Sequence, residues 1–202
     1  MTERADIHSD DYRPTIWRTC RVLANPHRLA CLRVVIDSPA SSVDEIAALT
    51  HLPPNKVSMH LRALQSRGLL HASRESRWVR YHPQPDPLVP SAYPILAAMR
   101  VALRLQRDPE VLRTLTAFTH PRRLTLLRCL QLSAPLPEET LSGTLRISPP
   151  ALWRHLRKLA SRHLVVRCGE GWRLHQRPSR LAETFLTLIA LEPSSNAPAA
   201  SP

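Results

Sequence analysis

The sequence predicts a mainly α-helical protein with small β-hairpins, built as two tandem copies of one domain. A chain of 202 residues is long enough for two small domains. Apolar residues recur mostly at helical spacing. Residues 26–83 also align without a gap onto residues 121–178, with sixteen identical pairs, where chance would give on the order of five. Such internal similarity indicates a duplicated domain.

Both copies contain the same predicted elements in the same order. In the first copy, apolar spacing predicts helices over 14–24, 26–36, 43–50 and 54–67, followed by a hairpin over 69–83. In the second copy, helices are predicted over 108–119, 121–132, 138–144 and 149–162, with a hairpin over 164–176. Prolines at helix starts and Gly68 after the fourth helix mark the boundaries.

The remaining segments complete a predicted domain organisation. The proline-rich stretch 83–94 is stiff and leads into a linking helix. In chain order, we predict a disordered N-terminus (1–12), a first domain (13–85), a joint with the linking helix (86–107), a second domain (108–178), a C-terminal helix (179–191) and a disordered tail (192–202).

The net charge indicates a polyanionic partner. Lysine and arginine total 28 against 16 acids, which gives a net charge of +12 and an isoelectric point near 11. Nucleic acid is the commonest partner of so basic a domain, although ribosomal and membrane-surface proteins share the property. The sequence shows no apolar run long enough for a membrane span and no signal-peptide centre. A cytoplasmic protein without a membrane partner is therefore expected.

Two helices joined by a short turn and followed by a basic hairpin form a winged helix–turn–helix. Its second helix, here called the reading helix, fits the DNA major groove. The stretches "NPHRLACL" (25–32) and "SMHLRALQSRGLL" (58–70) resemble the ArsR-type winged-helix repressors. The resemblance covers 17–83 and, more loosely, 117–178. It implies a DNA-binding transcriptional regulator, expected to repress a promoter, that acts as a homodimer or, in a tandem chain, as an intramolecular pseudo-dimer.

Candidate DNA-binding residues of the first copy lie on the polar side of the reading helix and in the hairpin. The apolar stripe of this helix, Val57, Leu61 and Leu64, recurs in the second copy and is interpreted as packing. Amide and cationic side chains can bond base edges and phosphates. The candidates are Asn55, Lys56, Ser58, Met59, His60, Arg62, Arg67, Arg74, Arg77 and Arg80. For His60 and its counterpart His155, a DNA contact and a half-buried packing role both stay open.

The second copy departs from this pattern. Trp153 replaces the small serine of the reading helix, and such a ring could wedge against DNA or pack beneath the hairpin or in an interface. Four cationic residues still offer phosphate contacts: Arg154, Arg157, Lys158 and Arg162. We therefore interpret the second copy as a second reader, a backbone clamp or a dimerisation module.

No metal, cofactor or catalytic site is expected. The four cysteines have no C-x-x-C spacing, and the helix over 42–49 has neither cysteine nor histidine. No nucleophilic triad, phosphate loop or carboxylate pair is present, and the effector stays unidentified. Two alternatives to a sequence-specific regulator remain. One is a winged-helix interaction or dimerisation module, and the other is a non-specific architectural nucleic-acid-binding protein.

Overall fold

The structure, a computed structural model, describes residues 15–191. Its packing divides the chain between Thr119 and His120 into two compact units, described over 15–119 and 120–191. We call them unit 1 and unit 2. The two predicted disordered ends, 1–12 and 192–202, lie outside the described residues.

Unit 1 contains helices and one antiparallel hairpin. In chain order they are α1 (Ile16–Leu23), α2 (Pro26–Asp37), α3 (Val43–Thr50), α4 (Pro54–Gln65), β1 (His71–Glu75), β2 (Trp78–His82), α5 (Ala92–Leu105) and α6 (Asp108–Ala117). Helices α2, α3 and α4 contact one another pairwise. Their fully buried residues, including Leu32, Ile46 and Leu61, form the centre of the core. A bridge between Ser41 and Tyr81 attaches the hairpin beside α3.

Local signals explain where these helices begin and end. The Asn25 side chain accepts a hydrogen bond from the Arg28 N–H at 3.0 Å, and Pro26 opens α2. Ser42 and Glu45 form a reciprocal capping box at the start of α3. After α4 the chain adopts a positive φ of 69° at Gly68, a conformation that glycine tolerates best.

Helices α5 and α6 pack onto the helical core of unit 1. The Arg33 side chain of α2 donates hydrogen bonds to the Leu103 carbonyl and to the Asp108 carboxylate. Helix α6 contacts α1, α2 and α5. Residues 108–119, which belong to the predicted second domain, therefore pack within unit 1. The prediction that residues 108–119 belong to the second copy rests on the sequence repeat, which is a different criterion from packing, and it stays a prediction.

From α7 onward, unit 2 repeats the order of elements that unit 1 shows from α2 onward: three helices, a hairpin and a further helix. They are α7 (Pro121–Leu132), α8 (Glu138–Leu145), α9 (Pro149–Ala160), β3 (Val165–Cys168), β4 (Gly171–Leu174) and α10 (Arg180–Leu191). Helices α7, α8 and α9 begin and end 95 positions after α2, α3 and α4. Helix α10 packs on α7, where the Arg128 guanidinium donates to the Ile189 carbonyl at 2.7 and 3.1 Å.

The unit 2 hairpin depends on one glycine. Leu136 pairs with Trp172, which brings the backbone before α8 against β4. A Cβ atom at Gly171 would lie 2.3 Å from the Leu136 carbonyl oxygen, and the Gly171 φ is 136°. Only a residue without a side chain fits this approach.

The predicted mainly α fold with small β-hairpins is confirmed for residues 15–191. Helix α4 ends two residues earlier than predicted, because the Gly68 N–H bonds to the Gln65 carbonyl in a tight turn. Across the described part of the chain, no helix combines the length and the apolar character that a membrane span requires.

Candidate nucleic-acid interface

The outer side of α4 presents most of the side chains predicted to meet DNA. Asn55, Lys56, Met59 and Arg62 are exposed, and Ser58 is partly exposed. The opposite side is fully buried at Val57, Leu61 and Leu64. Helical periodicity thus separates a packing face from a polar, cationic face. The polar face is available for contact.

The beginning of α4 adds a favourable electrostatic feature to this face. Pro53 precedes the helix and Pro54 is its first residue. Both are exposed, as are Asn55 and Lys56 behind them. The first turn of a helix carries partial positive charge, which favours nearby anions such as phosphates. The Lys56 ammonium group reinforces that charge.

His60 does not share the exposed face. Its side chain is only 6% exposed and stacks on His27, with 5.9 Å between ring centroids. Burial lowers the pKa of His60, and the charges of Arg28, His27 and Lys56 lower it further. The ring is therefore mostly neutral at pH 7. Its position favours the packing interpretation over a DNA contact.

The hairpin, or wing, of unit 1 carries two exposed arginines. Arg74 and Arg77 are exposed, and the Arg77 guanidinium lies 5.4 Å from the centroid of the Trp78 ring. Ser76 at the tip has a positive φ of 56°. The two-residue turn holds these cations at the outer end of the strands, where they can reach a DNA backbone.

Arg80, the third predicted wing residue, has protein partners instead. Its guanidinium donates to the two Glu45 carboxylate oxygens at 2.8 and 3.1 Å, and Glu75 lies 4.0 Å away. Hydrogen bonds from the Ser42 backbone and Arg80 hold the pKa of Glu45 below its ordinary value. Arg80 thus fastens the wing to α3.

Arg67 is also less accessible than the residues of the α4 face. It lies in the turn after α4, is partly buried, and its Nε atom has no hydrogen-bond partner. Burial lowers the pKa of Arg67, and the charge of Arg18 in α1 lowers it further. A DNA phosphate could therefore contact only the exposed part of the Arg67 side chain.

The corresponding helix of unit 2, α9, is cationic but differs in shape. Arg154 and Arg157 are exposed, and Lys158 and Arg162 are partly exposed. Trp153 remains 43% exposed and meets the buried Trp172 edge-on, with 6.1 Å between ring centroids. Trp153 therefore rests against β4 of the unit 2 hairpin, at a residue close to the turn.

Two arginines that are not among the predicted site residues lie beside this helix. Arg122 and Arg123 stand in the first turn of α7 and line an open pocket with Arg154 and Lys158. The sequence carried a signal for them, because cations are disfavoured at helix N-termini.

The described residues, 15–191, contain no group of three or more histidine, cysteine or acidic side chains that could hold a metal ion. The cysteines at 20 and 31 are buried and those at 129 and 168 are partly buried. Burial raises the pKa of the Cys31 thiol to about 11. A neutral buried thiol is a poor nucleophile and a poor metal ligand.

Helices α2 to α4 followed by an antiparallel wing define unit 1 as a winged helix–turn–helix domain. Comparison with known families agrees: residues 25–72 match the family described as bacterial regulatory protein, arsR family. The matched segment runs from the cap of α2 into β1, about a quarter of the chain. It is an ArsR-type helix–turn–helix domain and supports a DNA-binding transcription regulator. No curated protein matches the chain.

Proposed function

We propose that the protein is a sequence-specific double-stranded-DNA-binding transcriptional regulator that reads DNA mainly with α4 of unit 1. The observation that carries this proposal is the exposed polar face of α4, which lies inside the segment matched to the arsR family. Occupation of a promoter by such a domain would repress transcription. The net charge of +12 favours the same class of partner.

The chemistry of the α4 face suits base readout. The Asn55 amide can bond an adenine edge, and Arg62 can bond guanine with two parallel hydrogen bonds. Lys56 and the wing arginines Arg74 and Arg77 would supply phosphate contacts that carry affinity without sequence preference. Arg80 would contribute by positioning the wing.

We also propose that the chain is a tandem duplication that forms an intramolecular pseudo-dimer. Three helices of unit 2 repeat the bounds of α2, α3 and α4 after 95 positions. Positive φ angles recur at the same displacement, at His51 and Arg146 after the third helix and at Gly68 and His163 after the reading helix. This conformation is uncommon outside glycine, so its recurrence supports a shared ancestor.

The packing of α1 and α6 supports the pseudo-dimer further. The displacement of 95 residues that relates the two copies places α6 opposite α1, and these two helices contact each other within unit 1. A contact between equivalent elements is what a two-fold interface produces. Unit 2 would then act as a second reader or a backbone clamp, with Trp153 committed to its own hairpin.

A salt titration on random and selected DNA tests this function against its alternatives. The full chain would first be used to select genomic fragments, and its affinity for a recovered site and for random duplex compared at several salt concentrations. We expect a preference of at least about a thousandfold for the site. Equal, strongly salt-dependent affinities would instead support an architectural protein. Absence of binding to either DNA would support an interaction module.

A further inference from the structure

Unit 2 contains an open pocket of about 600 Å³ between the start of α7 and the side of α9. Besides Ala151, its lining consists of His120, Arg122, Arg123, Arg154, His155 and Lys158. Four of these side chains are cationic and none is acidic. A pocket with this lining attracts anions and repels cations.

Burial raises the free energy of the charged side chains that line the pocket. Arg123 is only 9% exposed, and burial lowers its pKa, with a further effect from Arg162. Burial also lowers the pKa of Lys158, and Arg162 and Arg123 lower it further. Cations that depress one another's pKa values in this way are stabilised when an anion enters. Proximity to the first turn of α7 adds partial positive charge.

The density of cations in this lining is specific to unit 2. At the equivalent positions of unit 1, 95 residues earlier, His27, Met59 and Ala63 replace Arg122, Arg154 and Lys158, while Lys56 stands in place of Ala151. These positions therefore carry two cations in unit 1 and four in unit 2. The retained arginine, Arg28, donates to the Val22 and Arg21 carbonyls at the end of α1. The winged-helix scaffold alone does not produce such a cluster. The excess of two cations in unit 2 therefore requires an explanation of its own.

We propose that this pocket binds a phosphate group. Guanidinium forks match the oxygens of phosphate with parallel, charge-assisted hydrogen bonds, and the Lys158 ammonium adds a point charge. The two histidines stand close together, with 4.7 Å between ring centroids, and can donate to the same oxygens. The volume exceeds a single phosphate and suits a phosphorylated small molecule or one backbone phosphate of DNA.

His155 gives a direct signal of occupancy. Burial, with the charges of His120, Arg123, Arg122 and Arg154, lowers the pKa of His155 to about 4. A bound phosphate favours the imidazolium form and raises that pKa. Titration of the full chain with inorganic phosphate, followed by NMR of the histidine ring protons, therefore reports binding at this residue. This NMR measurement is independent of whether α4 binds DNA.

The decisive variant converts two pocket positions to the residues of unit 1, Arg154→Met with Lys158→Ala. A matched control removes two exposed arginines of unit 2 outside the pocket, Arg177→Ala with Arg180→Ala. We expect saturable phosphate binding by the native chain, a loss of at least about tenfold in the pocket variant and less than about twofold in the control. No saturable shift at His155, or equal losses in both variants, would overturn the proposal.

A competition measurement identifies the source of the phosphate. If the pocket receives a DNA backbone phosphate, duplex DNA displaces inorganic phosphate and the pocket variant binds all DNA more weakly. If it receives a free phosphorylated ligand, the DNA complex still binds phosphate, and phosphate alters DNA affinity only in the native pocket. Absence of saturable phosphate binding by a native chain that still binds its DNA site would overturn the pocket alone, whereas phosphate binding by a native chain that binds no DNA would overturn the regulator.

Discussion

Arg80 in the wing and Glu45 in α3 form a two-point contact between the elements on either side of the reading helix. One Arg80 nitrogen, Nη1, lies 2.8 and 3.1 Å from the two Glu45 oxygens. Glu45 also accepts the Ser42 N–H at 2.7 Å in the capping box of α3. The same carboxylate therefore caps a helix and positions the wing.

Arg80→Ala should lower the free energy of unfolding only modestly, because the pair is partly exposed to water. Denaturant unfolding measures this change, with Arg77→Ala as the control that removes an exposed cation from the same wing.

The pKa of Glu45 is lowered in the folded state. The contribution of Glu45 to folding stability is therefore present above the ordinary carboxyl pKa and disappears as pH falls through the lowered value. Equal losses of unfolding free energy in Arg80→Ala and Arg77→Ala would contradict a stabilising role for the contact between Arg80 and Glu45.

Arg62→Ala and Arg77→Ala should affect DNA binding in different ways. Arg62 lies on the exposed face of α4, and its loss should cost about 1–3 kcal/mol at the selected site and little on random duplex. Arg77 is at the wing tip, and its loss should weaken binding to all sequences alike and reduce the salt slope by about one. Fluorescence anisotropy at several salt concentrations measures both. Identical profiles for the two variants would refute the division of roles.

Two glycines of unit 2 should respond oppositely to alanine. Gly171→Ala places a Cβ against the Leu136 carbonyl and should lower the free energy of unfolding by about 1–3 kcal/mol. Gly143 lies inside α8, and an added Cβ would meet no atom within 4 Å apart from the nearby backbone of its own helix, so Gly143→Ala should raise stability by about 0.5–1 kcal/mol. Thermal unfolding distinguishes them. A neutral Gly171→Ala variant would contradict the pairing of Leu136 with Trp172.

His155 should titrate near pH 4 in the folded chain without phosphate. The unfolded imidazole has a higher pKa, so folding stability from this residue is full above about pH 6.5 and falls as pH drops toward 4. The facing groups are His120, Arg122, Arg123 and Arg154. Unfolding measured across this range should be less acid-sensitive in His155→Phe, with the exposed His71→Gln as control. An ordinary titration midpoint at His155 would show that the ring is not buried among cations.

The helices were predictable because their signals are local. Pro26 with apolar residues at helical spacing indicated α2, and the Pro-Pro pair at 53 and 54 indicated the start of α4. The polar face of α4 followed from the same periodicity, since a buried stripe at Val57, Leu61 and Leu64 leaves the other side exposed.

The details that modify the site depend on contacts between distant segments. Nothing near His60 in the sequence indicates that His27 covers it. The partner of Arg80 lies 35 residues away. The arginines of α7 meet those of α9 only after folding, and α6 packs in unit 1 although its repeat position assigns it to the second copy. Periodicity indicates which side of a helix is exposed, whereas partner identity requires the tertiary structure.

Chemical protection of a selected DNA site tests the central claim most directly. Guanine N7 lies in the major groove, so methylation at N7 reports whether a helix occupies that groove. We expect the full chain to protect guanines within its site, and Asn55→Ala with Arg62→Ala to abolish this protection at protein concentrations where the duplex remains bound. Full N7 reactivity in the native complex, or unchanged protection in the variant, would contradict the assignment of α4 as the reading helix.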